Sequence, residues 1–263
     1  VDFDQRLLDR DAIKVVQTIT KAGFEVYLVG GCVRDLLLGL KPKDFDIATN
    51  AKPEQVNKLF KRSRLIGRRF RLVHVMFSAR KFLEVATFRS GQVKTAKSGV
   101  IVRDNCYGKI EEDVIRRDFR INALYYDINT KEVVDYIGGL QDIESQTIHM
   151  IGEPMVRFEE DPVRMIRALR FQTKLNFQLS DEIKDAIHQQ GPLLSNISPA
   201  RLYDECIKLF HNEYGFAVFE RLEKYDLLKH LFRQTHKNNF IKISLNNTSN
   251  RIKRNKSVTP AFL

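Results

Sequence analysis

Asp44-Phe45-Asp46 sets two carboxylates one residue apart. On a strand alternate side chains share a face, so the pair would stand roughly 6–7 Å apart at Cα, with Phe45 and Ile47 turned to the core. Two carboxylates on one exposed face repel each other unless a cation lies between them. Hard oxygen ligands favour Mg²⁺, which completes its shell with phosphates and water. Two such ions would activate an attacking hydroxyl and stabilise a leaving pyrophosphate. A solvated strand edge is the plainer reading of a lone Asp-x-Asp. The residues just upstream shift the balance. Gly30-Gly31 lets backbone amides approach a ligand where a helix starts, and Arg34, in the first turn of that helix, can fork onto a phosphate. Turn, arginine and carboxylates together point to a triphosphate grip beside a metal site.

Three further stretches carry candidates. Glu84, in "LEVATFR", lies on a predicted strand opposite Leu83 and Val85; it is a third acidic group near the metals or a salt-bridge partner of Arg89. "EEDVIRRDFRINALYY" reads as a helix over residues 111–124, with Ile115, Phe119 and Leu124 on its core side. Arg117 would contact phosphate. Asp118 and Asn122, four apart, would share a face suited to a ribose hydroxyl or to orienting the metal carboxylates; an ion-paired helix surface accounts for Arg116, Arg117 and Asp118 equally. In "EEDPVRMIRALRF" Asp161 precedes Pro162 and would cap a helix. It also stands three residues before Arg164, with Arg167 one turn on. An acceptor beside a donor fork matches the adenine or cytosine edge and opposes guanine or uracil.

These residues need positioning elements. Helices are predicted over residues 11–21, 33–38 and 53–60, and strands over 26–29, 44–47, 71–77, 82–88 and 133–136. Residues 91–99 are polar, small and aperiodic, and read as a mobile loop. This half is an α+β head around a small mixed sheet. After residue 150 helical patterns dominate, over 161–173, 180–190, 199–211 and 215–225. The expected domains are 1–150, the head, and 151–263, all-helical. Residues 236–258, rich in Asn, Lys, Ser and Thr, are expected to be poorly ordered. Thr259-Pro260 looks like a helix start as the chain stops, and Val1 stands without a methionine; both are expected marks of a shortened chain.

The chain has 263 residues, 43% hydrophobic, which suffices for a real core. Its net charge of +11 favours a polyanionic partner, nucleic acid first. No apolar run is long enough to span a bilayer. Three widely separated cysteines fit buried thiols in a reducing compartment, so a cytoplasmic protein is expected.

"LVGGCVRDLLLG", "KPKDFDIAT", "RRDFRINAL", "DYIGGLQDI" and "EDPVRMIRALRF" resemble, in order, the motifs of the class II nucleotidyltransferases, the tRNA CCA-adding enzymes and bacterial poly(A) polymerases. The resemblance implies a polymerase-β-like head followed by helical neck and body. It makes Asp44 and Asp46 the metal holders and Asp118 the third catalytic acid ahead of Glu84. Gly30, Gly31, Arg34, Arg117 and Asn122 would bind the nucleotide, and Asp161, Arg164 and Arg167 would read or flank the base. Arg201 and Glu205 look like the family's later helical motif. "LIGRRFRLVHVMF", with Arg68, Arg69 and Arg71, looks like the bacterial poly(A) polymerase branch rather than the CCA-adding one. The expected protein is a template-independent RNA 3′-end adenylyltransferase, active in RNA polyadenylation and mRNA processing. It would use ATP and two Mg²⁺ ions and act as a monomer without a membrane. CCA addition is the first alternative and a non-catalytic RNA-binding protein the second.

Overall fold

Asp9 starts the first helix because its carboxylate accepts hydrogen bonds from the backbone N–H groups of Asp11 (2.7 Å) and Ala12 (3.2 Å). Helix α1 (Arg10–Lys21) then buries Ala12, Val15, Val16 and Ile19 completely against the sheet. Each of the two valines and the isoleucine contributes about 1.5–3 kcal/mol of transfer free energy. The computed structural model describes residues 3–67, 71–79, 81–90, 94–95, 101–103, 106–232 and 239–259. The chain divides into two units, Val1–Ser145 and Gln146–Leu263.

In the first unit β1 (Val26–Val29) leads through Gly30 into α2 (Gly31–Leu37). Then come β2 (Asp46–Thr49), α3 (Pro53–Leu59), β3 (Ser63–Ile66), β4 (Leu72–Met76) and β5 (Phe82–Thr87). β6 (Lys94–Thr95) and β7 (Ile101–Arg103) form a small antiparallel pair. α4 (Ile110–Ile115), β8 (Tyr125–Asp127), β9 (Glu132–Val134) and α5 (Gly139–Glu144) complete the unit. Seven strands form one sheet in the order β3-β4-β5-β2-β1-β8-β9. Only the central β2–β5 pair in that sheet is parallel. The mixed α+β architecture is the expected one.

Several elements differ from expectation. The second strand starts at Asp46, not Asp44, because its pairing with β1 begins at Val29↔Asp46; Asp44 lies on the lead-in. The single helix over 111–124 is instead α4, a turn, a 3₁₀ turn (Arg120–Asn122) and β8. A continuous helix could not deliver both its apolar side and the β1–β8 pairing. The chain turns after Ile115, which is left 65% exposed rather than in the core, while Phe119, Ile121 and Leu124 are fully buried. Lys94 and Thr95 are strand rather than loop; residues 91–93 and 96–100 of that stretch lie outside the described ones.

The second unit holds a short parallel pair, β10 (Thr147–Ile148) with β11 (Gln178–Leu179), so it is not purely helical. Its helices are α6 (Pro154–Glu160), α7 (Val163–Leu175), α8 (Asp181–Gln190), α9 (Pro199–Phe210), α10 (Gly215–Lys224), α11 (Leu228–Leu231) and α12 (Asn239–Lys253). α12 occupies the stretch expected to lack order. Its low apolar content misled, because its inner face is built from small polar residues: Thr248 is buried and Ser249 Oγ donates to the Asn212 carbonyl at 3.1 Å. Residues 236–238 and 260–263 lie outside the described ones; of the expected helix start, Thr259 is described and irregular, and Pro260 lies outside.

Candidate functional site

The parallel register of β2 and β5 sets Asp46 directly beside Glu84. On the far side of Glu84, β4 places His74, whose Nε2 lies 3.2 Å from Glu84 Oε1. Phe45 and Ile47 are buried, which turns Asp44 and Asp46 outward. Lys43, Asp44, Asp46, Lys81, Phe82 and Glu84 all line one cleft of about 630 Å³. Burial among the packed strands, then the charge of Glu84, push the Asp46 carboxyl up to about 6; Asp44 adds to this and Arg117 opposes it. Among the described residues no salt bridge neutralises Asp44 or Asp46. Two carboxylates without a neutralising partner and a third beside them, with Asp46 holding its charge reluctantly, suit a hard divalent cation. Among the described residues no group of three or more histidine, cysteine or acidic side chains is arranged to hold a metal ion by itself. An open site of this kind matches Mg²⁺, which keeps coordination positions for phosphate and water.

Next to this face stands a cluster of guanidiniums. Val29 pairs with Asp46, and Gly30 follows it at once. Gly30 has φ +78° and ψ −131°, backbone that L side chains rarely adopt. A Cβ on Gly30 would lie 3.6 Å from Arg117 Nη1, and one on Gly31 3.5 Å from Arg34 Nη2. The turn thus passes its bare backbone along two cations. α2 has only seven residues, so the positive potential here comes chiefly from the guanidiniums rather than from a helix dipole. Gly30→Ala should cost about 1–2 kcal/mol through the left-handed φ alone, while Gly31→Ala should be nearly neutral; thermal unfolding of the two variants checks this.

Arg34 is only 2% exposed. Its Nε donates to Asp35 Oδ1 at 2.9 Å, and its Nη1 donates to Asn122 Oδ1. It is not an open phosphate fork in this structure, because its donors are spent inside. Arg117 Nη2 donates to Asp113 Oδ2 at 2.8 Å and its Nε to the Tyr125 hydroxyl at 3.0 Å. The Tyr125 hydroxyl itself donates to Asp113 Oδ2 at 2.6 Å. Burial opposes ionisation of Asp113, but Arg117, the Tyr125 hydrogen bond and Arg116 outweigh it and hold its carboxyl below the usual range. Asn122 is shared between the two arginines, accepting from Arg34 through its side chain and from Arg117, at 3.5 Å, through its carbonyl. It therefore couples them, and it lies on the 3₁₀ turn rather than four residues along a helix from Asp118. Asp118 sits in the turn after α4, outside the lining of the acidic cleft, which Glu84 shares with Asp44 and Asp46.

In the helical unit Asp161 stands one residue before Pro162, the N-cap of α7, and accepts from the first helical N–H, that of Val163, at 3.2 Å through Oδ1. Its Oδ2 lies 2.5 Å from Arg201 Nη2 on α9. Arg164 Nη1 donates to the Arg157 carbonyl at 2.6 Å and to Glu160 Oε2 at 2.9 Å. Arg167 Nη2 lies 3.2 Å from Glu205 Oε1. Burial disfavours the Glu205 charge, but Arg167 and Lys208 outweigh that and hold its carboxyl below the usual range. Asp161 and Arg164 do not pair as an acceptor and donor through their side chains here; each is held by a protein partner, and α9 supplies Arg201 to Asp161 and Glu205 to Arg167.

Of the basic signature, Arg71 forms an ion pair with Glu54 at 2.5 Å; Arg68 and Arg69 lie outside the described residues. Sequence reasoning missed Asp113, Tyr125, His74 and Phe82. Only Asp113 left a signal, as an acid four residues before Arg117; the others depend on strand register.

Residues 26–149 match the family model described as "Poly A polymerase head domain" and residues 176–238 the one described as "Probable RNA and SrmB-binding site of polymerase A". Poly(A) polymerase I of Salmonella typhi is 47% identical over 97% of this chain, which spans 59% of that protein. The CCA-adding enzyme of Bacillus pumilus is 39% identical over 77% of this chain and half of its own length. Among solved structures, the Bacillus stearothermophilus CCA-adding enzyme in complex with CTP superposes with a TM-score of 0.73 at 34% identity, over 91% of this chain and 57% of its own. The chain thus spans about three-fifths of the length of such relatives.

Proposed function

The chain belongs to the nucleotidyltransferase family of poly(A) polymerases and CCA-adding enzymes, and from that premise we propose that it transfers AMP from ATP to RNA 3′ ends. The observation that carries the chemistry is one sheet face. Asp46, beside Glu84 on one side and the Gly30 turn on the other, joins a metal-binding acidic cleft to an anion-binding cationic turn.

In the proposed reaction the RNA 3′-oxygen bonds to the α-phosphorus of ATP, the bond to the bridging oxygen breaks, and pyrophosphate leaves. Mg²⁺ held by Asp44 and Asp46, with Glu84 beside them, would acidify the 3′-hydroxyl and neutralise charge on the phosphates. Arg117, fixed by Asp113 and Tyr125, binds the triphosphate where it passes the bare Gly30-Gly31 backbone. Arg34 lies behind that turn and, through Asn122, holds Arg117 in register. The protein's part is positioning and fixed charge. Asp161, Arg164, Arg167 and Arg201 form the proposed base-selecting and RNA-facing set of the helical unit, and the first two must exchange protein partners for the base to be read.

ATP use is supported by the higher identity to a poly(A) polymerase, over more of the chain, than to a CCA-adding enzyme. A net charge of +11 supports an RNA partner. Among the described residues no helix is long and apolar enough to cross a membrane, and the three cysteines are free thiols, which supports action in a reducing cytoplasm. The deciding experiment offers the protein Mg²⁺ and either ATP with a generic RNA or CTP and ATP with tRNA lacking its CCA end. Long A-tails on generic RNA, abolished by EDTA, are expected. Incorporation confined to the tRNA would replace this reading by CCA addition, and incorporation on neither would leave an RNA-binding protein.

A further inference from the structure

The side chain of Phe82 has no evident structural purpose. It is 43% exposed, at the mouth of a cleft otherwise edged by charge. Phe45 and Leu83, which bound the same cleft, are turned into the core. Strand parity places Phe82 on the face of Glu84, two residues along β5 and roughly 6–7 Å away at Cα. The ring is held from behind: His74 stacks on it with centroids 4.1 Å apart and planes 15° from parallel. His74 is itself anchored on Glu84. An aromatic ring fixed in orientation, open on one side and one short step from the reacting carboxylates is a base-stacking platform.

Sheet order says which base it serves. The strands run β5-β2-β1, so Glu84 and Phe82 lie on one side of Asp46 and the Gly30 turn on the other. In-line transfer brings the attacking oxygen and the leaving pyrophosphate to opposite sides of the phosphorus. With the triphosphate against the β1 side, the attacking hydroxyl enters from the β5 side. We infer that Phe82, backed by His74, is the subsite for the base of the RNA's 3′-terminal nucleotide, stacking that base so that its 3′-hydroxyl meets the Asp46–Glu84 pair. This rests on the transfer reaction proposed above. Stacking is indifferent to base identity, as a primer site must be when the first acceptor nucleotide varies and no template is read.

The chain contains no tryptophan, so Phe82→Trp installs a sole tryptophan in the subsite, excited selectively at wavelengths that the tyrosines do not absorb. A short oligoadenylate should quench it in the presence of Mg²⁺. The same oligomer with an abasic 3′-terminal residue should not, and neither should ATP alone. Phe82→Ala should raise KM for primer about tenfold, the worth of a modest stacking contact. KM for ATP and kcat should change little, and Phe82→Trp should restore primer KM. No quenching by oligoadenylate, equal quenching by the abasic oligomer or by ATP alone, or an unchanged primer KM in Phe82→Ala would each overturn the assignment. Absence of any incorporation by the wild-type chain would instead refute the transferase reading, and the fluorescence titration would still decide whether RNA stacks at Phe82.

Discussion

Asp46→Asn is expected to reduce AMP incorporation at least about a thousandfold, the scale of losing several kcal/mol of charge stabilisation at the transferring phosphate. The same change should stabilise the metal-free protein. Asp46 in the folded chain titrates at about 6 against an ordinary 3.8, raised by burial and by Glu84 and Asp44. The folded state therefore holds this proton more tightly than the unfolded state. Below the ordinary value both states are protonated and nothing is lost; as pH rises through about 6 the folded state must ionise the group at a cost. Asparagine never ionises. Its advantage should be absent near pH 4, grow toward pH 6 and stay level above it. Asp46 is surrounded by packed strands yet keeps an exposed edge in the cleft, so solvent screening limits the gain to about 1 kcal/mol, or about 2–4 °C in Tm. Scanning calorimetry in EDTA at pH 4 and pH 8 measures it. Incorporation retained by Asp46→Asn would end its assignment as a metal holder, and an equal Tm gain at both pH values would end the electrostatic explanation.

Asp113→Ala is expected to be the most destabilising single change near the site. It removes the carboxylate that receives both Arg117 and the Tyr125 hydroxyl, and Asp113 is only 5% exposed. Deleting one partner of a buried ion pair leaves an uncompensated charge, at about 3–5 kcal/mol. Urea unfolding at pH 7 should show that loss. Asp113→Asn should lose less, since it keeps an oxygen for the hydroxyl. The carboxyl of Asp113 is held below its ordinary range. Its contribution is therefore present above the ordinary carboxylate pKa and fades as pH falls through the lowered one, so wild type and Asp113→Asn should converge in acid. Both variants should raise KM for ATP, because an untethered Arg117 no longer waits at the Gly30 turn. A stable Asp113→Ala with normal ATP affinity would show that Arg117 needs no such support.

Much of this was legible in one dimension. The alternation of Phe45 and Ile47 with Asp44 and Asp46 made the burial pattern readable, because a strand's period is two whatever it pairs with. β1 was readable over its full Val26–Val29 span, and Asp161 beside Pro162 announced the start of α7. Local rules failed where two local rules competed. Residues 111–124 carry helical periodicity, yet the sheet claims Tyr125 and Tyr126 for pairing with β1, and the helix stops at Ile115. Small polar residues on α12 were discounted although Thr248 and Ser249 are buried beside Leu245, Ser249 with a hydrogen bond to the Asn212 carbonyl.

The amino-acid sequence alone determined which groups could do chemistry: a carboxylate pair, a glycine turn, and arginines at fixed offsets, since side-chain chemistry and short-range periodicity are properties of the chain itself. Tertiary structure alone decided which of them meet. The β2–β5 register set Glu84, not Asp118, beside Asp46. Burial spends the donors of Arg34 inside the protein, and the β1–β8 pairing turns the chain so that the Tyr125 hydroxyl joins Asp113 in holding Arg117. The physical reason is that strand register, burial and ion pairing depend on residues far apart in the chain, and no local pattern carries that information.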